Sequence, residues 1–258
     1  IMSNNSSKVH SILRILFVMP VLLIAALFDW HITPNAILWL CVYGVLEAIN
    51  IFFHQTAIKV SNPLHIDLIS KSKVLLVLMI SFILGIDSLS LLSSIFIVVF
   101  VIGTVLTINF QTEAETEEKT GFLGIVFEII SVLARCFKPF ILKYTITNDL
   151  ISSSTLAFLS MPIALIILLI MFRPSINFKE INYKKYILQA VVVGVGMLFG
   201  VWSVEYGNAV ISNTIAAFTV VIIMLYELIF NHKKYKPLSY VGVTVALASI
   251  ILACVFLG

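Results

Sequence analysis

The stretch Ile163-Ala164-Leu165-Ile166-Ile167-Leu168-Leu169-Ile170-Met171-Phe172 is apolar on every side, and it decides the fold. A membrane β-strand alternates apolar and polar residues over about ten positions, and nothing alternates here. Continued back to residue 154, the run is long enough for a helix rising about 1.5 Å per residue to cross a hydrocarbon core of roughly 30 Å. Eight further runs read the same way, at 11–28, 36–59, 63–86, 89–109, 121–144, 185–206, 210–230 and 238–257. The expected fold is an all-α integral membrane protein with nine transmembrane helices.

Composition agrees. Of 258 residues, 60% are hydrophobic and 11% charged, whereas soluble domains carry roughly 25% charged residues. A water-soluble fold is excluded on that ground. The net charge of +3 is small and its carriers are dispersed, which argues against a nucleic-acid surface. Cys41, Cys136 and Cys254 each sit inside an apolar run without the Cys/His spacing of a metal or disulfide framework, so they read as packing residues and no metal is expected. The first run follows Lys8 and Arg14 as a signal peptide would. Its end, Ala25-Ala26-Leu27-Phe28-Asp29, is a poor cleavage site, and the run is taken as a retained span. No phosphate-binding loop, metal-ligand helix motif or paired nucleophile and base occurs, so neither an enzyme nor a cofactor is expected.

Lys and Arg in short loops settle on the cytoplasmic side. With alternating spans, Lys8, Arg14, Lys59, Lys119, Arg173, Lys179, Lys184, Lys185, Lys233, Lys234 and Lys236 share one side, and only Lys143 falls clearly on the other. The first side is therefore read as cytoplasmic, with the residues before the first span inside and Gly258 outside. Residues 110–120, FQTEAETEEKT, carry four glutamates and no apolar face. They read as a solvated linker between a first bundle of four helices, residues 1–109, and a second of five, residues 121–258.

The halves resemble each other. Phe17-Val18-Met19-Pro20-Val21-Leu22-Leu23-Ile24 is echoed by Leu159-Ser160-Met161-Pro162-Ile163-Ala164-Leu165-Ile166. Each is followed by a Gly-containing helix, an Asn-bearing turn (Val60-Ser61-Asn62-Pro63 and Gly207-Asn208-Ala209-Val210), a second helix and a Leu-Ser link (Leu89-Ser90 and Leu238-Ser239). Internal repeats of this kind are typical of secondary transporters. Through these turns and links, above all Ala57-Ile58-Lys59-Val60-Ser61-Asn62 and Glu205-Tyr206-Gly207-Asn208-Ala209, nearly the whole chain resembles the EamA-like branch of the drug/metabolite transporter superfamily. The resemblance implies ten helices in two inverted repeats of five. Here the counterpart of residues 121–144 is missing from the first half and the chain begins with Ile1, so an absent first helix is expected. The family is described with both ends cytoplasmic; the charge bias places the basic loop from Arg173 to Lys185 inside, and that orientation is retained.

Ionisable side chains deep in a span cost roughly 2.5 to 3.5 kcal/mol each and mark candidate sites. Glu128, Ser131, Arg135 and Lys138 recur at steps of three and four, which puts them on one helical face that should look inward. The rival reading lets Lys138 snorkel to an interface while Glu128 and Arg135 pair. Asp67 and Lys71 have the spacing of a helical ion pair, with Lys73 on the opposite side, and read equally as an interfacial pair or as part of a site. Tyr43, Glu47, Asn50 and His54 form another polar stripe, Glu47 being the more central acid and His54 more in keeping with packing. Gly196 and Gly200 read as a close-packing pair, and Trp202 as an interfacial anchor or a cavity wall. Glu227 resembles the acid that ends the family's ninth helix and is read as a boundary residue.

The substrate-binding set expected is therefore Glu47, Lys71, Glu128, Arg135, Lys138 and Trp202. The cations suit a carboxylate or phosphate, with Glu47 or Glu128 to balance them or to carry a coupling proton. The resemblance implies a secondary carrier in the cytoplasmic membrane that exports an amino acid, a related small metabolite or a drug-like solute by alternating access. A flippase for lipid or lipid-linked sugar, and a non-transporting binding or immunity subunit, are the alternatives.

Overall fold

The computed structural model describes residues 6–61, 66, 69–85, 90–109, 122–173, 183–217 and 237–256. The acidic linker 110–120, Asp67, Leu89, Glu227, the Asn62-Pro63 part of the first turn, most of the 210–230 run and the side chains of Ser239 and Cys254 lie outside the described residues. The described elements are helices: α1 (Ser6–Phe28), α2 (Ala36–Val60), α3 (Lys73–Leu84), α4 (Leu91–Asn109), α5 (Phe122–Thr147), α6 (Ser153–Phe172), α7 (Tyr183–Glu205), α8 (Ala209–Ala217) and α9 (Pro237–Val255). Four described stretches are long and apolar enough to cross a membrane, Lys8–Phe28, Ala36–Val60, Ser153–Phe172 and Tyr186–Glu205. Leu91–Leu106 and Tyr240–Ala253 are shorter apolar helices. The protein is thus helical and membrane-associated.

Two compact units make up the chain, residues 1–56 with 133–207 and residues 57–132 with 208–258. Each takes helices from both halves of the sequence, so unit and half are different divisions.

In the first unit α1 packs on α6 and α7 around a core that includes Ile12, Ile15, Val18 and Leu22 from α1, Met161, Ala164 and Leu168 from α6, and Ala190 and Leu198 from α7. Small residues let the helices approach: a methyl group added to Gly194 would lie 2.8 Å from Val21, and one on Gly44 the same distance from Ile163. Gly196 and Gly200 do not act this way. Among the described residues a methyl group on either meets nothing within 4 Å; spacing alone says which residues share a face and not what stands opposite. Pro20, Pro139 and Pro162 all lie inside helices, where each leaves the carbonyl four residues earlier without its helical donor. Ile24, Leu27, Ile37, Leu38, Ile166, Ile170, Val192 and Phe199 are exposed, which is favourable only against lipid. Cys136 is buried as a packing residue should be, whereas Cys41 is exposed on α2, its side chain turned away from the core.

At one end of this unit the loop after α1 is clasped to the loop before α6. Ile32 and Ile151 form an isolated antiparallel bridge, the Thr33 amide donates to Leu150 O at 2.8 Å, and the Ser152 amide donates to His31 O at 3.1 Å. Ser152 also caps α6, accepting from the Thr155 amide. Alternation of spans expects these two loops on the same side, and the clasp joins them.

In the second unit α4 runs along α9, and α3 packs against α4 and α8. A methyl group on Gly103 would sit 2.7 Å from the Ala246 backbone nitrogen, so only glycine permits this approach. Ser93 Oγ donates to Ala253 O at 3.0 Å, and Ser90 and Ser93 both reach Phe256 O, which satisfies terminal carbonyls of α9. The Asn-bearing turn starts α8, with Asn208 Oδ1 accepting from the amides of Val210 and Ile211.

Candidate functional site

A cavity of about 240 Å³ lies within the first unit, bounded by α1, α2, α5, α6 and α7. The polar stripe of α2 faces it: Glu47, Asn50, His54 and Gln55 line the wall, and Ile51 lies on the same face. Ser11 and Arg14 from α1 and Arg135 from α5 complete the polar side. Ile15, Val18, Met161, Val193 and Met197 make up the apolar side.

Glu47 is the one acid in this wall among the described residues, and it is buried. Behind it Lys138 of α5 forms an ion pair with its Oε2. The Lys138 ammonium also stands over the Tyr43 ring, 4.7 Å from the centroid, and within hydrogen-bonding reach of the Tyr43 hydroxyl. Asn50 hydrogen-bonds the Glu47 carboxylate, and Arg14 is close enough to act on it electrostatically. Side-chain exposures of 16% for Lys138 and 10% for Glu47 leave little water around the pair. An uncompensated charge there would cost several kcal/mol, roughly 3 to 5 when one partner is removed.

Of the residues expected from sequence, the cavity gathers Glu47 and Arg135, with Lys138 as the counter-ion of Glu47. Lys138 turns inward and does not snorkel. Trp202 does not line this cavity: its indole N–H donates to Ser154 Oγ at 3.1 Å, and its ring packs on the core and edge-on to Phe199. Glu128, fully buried, and Lys71, half-buried, belong to the second unit and do not line this cavity.

Arg14 is the residue that sequence reasoning set aside. Counted among the loop cations because it falls near a run's edge, it lies inside α1, which begins at Ser6, and it lines the cavity. Its spacing to Ser11, Ile15 and Val18 on one face is the signal that would have found it. Among the described residues no group of three His, Cys, Asp or Glu side chains comes together as a metal site would require.

No family model matches the chain, and no curated protein matches it. A solved structure described only as "Crystal structure of protein" is similar, with a TM-score of 0.75 and 15% sequence identity, over 98% of this chain and 89% of that one. At that identity the likeness shows the fold alone.

Proposed function

We propose that the protein is a multi-pass secondary carrier of the cytoplasmic membrane, of the drug/metabolite transporter type. It exports an amino acid or a related anionic or zwitterionic solute by alternating access. One observation carries the reading: a cavity among apolar helices whose wall holds Arg14, Arg135, Glu47, Asn50 and His54. Glu47 in this wall is buried, where charges act more strongly than in water, and arginine grips a carboxylate through two hydrogen bonds. At about 240 Å³ the cavity is smaller than the roughly 300 to 1,000 Å³ of drug-sized sites, which favours a small metabolite over a drug.

Pairing of helices supports an internal duplication. α1 packs on α6, α3 on α8 and α4 on α9, and in each pair the members hold matching places in the two halves. A nine-crossing chain of four and five helices, related to a ten-helix inverted repeat, fits these pairings.

Thermal unfolding of the purified protein with a panel of amino acids, phosphorylated metabolites and cationic drugs tests the reading. A cargo at a hundred times its dissociation constant adds about 2.7 kcal/mol to stability. The expected cargo stabilises the parent and not Arg135→Ala. If no compound shifts a folded sample, the reading gives way to a lipid cargo or to a non-transporting role.

A further inference from the structure

Glu47 presents one side to the cavity and the other to Lys138, and this arrangement assigns each group a job. A buried carboxylate does not stay ionised alone, because desolvation favours its protonated form. Lys138 supplies the opposing charge from behind the wall, where it takes no room from a solute, since it pairs with Glu47 without lining the cavity. In that one position Lys138 has a second partner as well. The Tyr43 face lies 4.7 Å from its ammonium, and a cation over an aromatic ring keeps part of its stabilisation when it lets go of a carboxylate. Pro139, which has no amide to give to the helix, follows directly, and proline is the residue at which helices most often kink.

The geometry points to Glu47 as the seat for a solute's ammonium group and to Lys138 as its resident stand-in, which gives way onto the Tyr43 ring when the solute arrives. This rests on the carrier reading and narrows it from anionic or zwitterionic solutes to those bearing an ammonium group. Arg14 and Arg135, on the same wall, receive the anionic end. Glu47 faces a cation in both states, and a zwitterionic solute leaves the net charge of the site unchanged. The exchange also limits affinity, since the solute's ammonium displaces a cation already in place; a carrier must release what it binds.

Matched ligands separate these claims. An amino acid and the 2-hydroxy acid of the same side chain share size and carboxylate and differ in the ammonium group. Dissociation constants by calorimetry are expected to favour the amino acids at least tenfold in the parent. In the double variant Glu47→Gln/Lys138→Met, which removes both charges and keeps the shape, the preference falls below threefold. In Tyr43→Leu, which leaves Lys138 no second partner, it falls by a similar factor while the hydroxy acids bind as before. Equal binding of amino and hydroxy acids by the parent overturns this inference and leaves the carrier reading standing. A preference that persists in a folded double variant overturns it too. Binding of neither class to a folded parent removes both readings.

Discussion

The Trp202 indole reaches across 48 positions to Ser154, and the neighbouring Ser153 hydroxyl donates to Glu205 at 2.6 Å. These two contacts tie the end of α7 to the start of α6. Trp202→Phe keeps the ring and removes the donor, so it should cost about 1 kcal/mol, read as a lower midpoint in chemical unfolding in detergent. Lys143 has a similar local duty. It donates to Gly207 O at 2.9 Å, just past the end of α7, which gives a local reason for a lysine at this position. Single residues were legible as candidates and their partners were not. Glu47 and Lys138 both stood out as ionisable groups within apolar runs, yet helical periodicity orders residues within one helix and is silent about a contact between two. Arg14 failed for a related reason: a rule that counts cations near span ends treats the last polar residue inside a helix as the first one outside it.

Helices were the most legible level. The runs at 11–28, 36–59, 154–172 and 185–206 match α1, α2, α6 and α7 to within a few residues, except that α1 starts at Ser6 and gains a turn. Polar residues at its start hid that turn from a reading based on hydropathy. Glycines were less legible, because Gly103, Gly194 and Gly196 look alike in sequence and differ in what faces them. Gly103→Ala would press a methyl group to 2.7 Å from a backbone nitrogen, and it should destabilise by about 1 to 3 kcal/mol. Gly196→Ala meets open space and should stabilise by about 0.5 to 1 kcal/mol, since glycine weakens a helix interior by that amount. Paired thermal melts of the two variants check both signs at once, and equal effects would mean that close approach does not matter here.

Orientation belongs to the molecule as a whole. With the basic ends inside, the clasp of residues 29–35 and 148–152 faces outward, and Asp149 there is 94% exposed in its side chain. In a cysteine-free background, Asp149→Cys should react with a membrane-impermeant maleimide in intact cells, and Lys184→Cys only after permeabilisation; the reverse pattern would invert the orientation. The two compact units were not legible from the chain, because a division into halves follows the order of synthesis and compact packing does not. That difference has a cost in time. Glu47 and Lys138 are 91 positions apart, so at roughly 5 to 20 residues per second the ribosome makes Glu47 about 5 to 18 s before its counter-ion. Until Lys138 follows, Asn50 and Arg14, both earlier in the chain than that lysine, are the groups at hand to steady the Glu47 carboxylate.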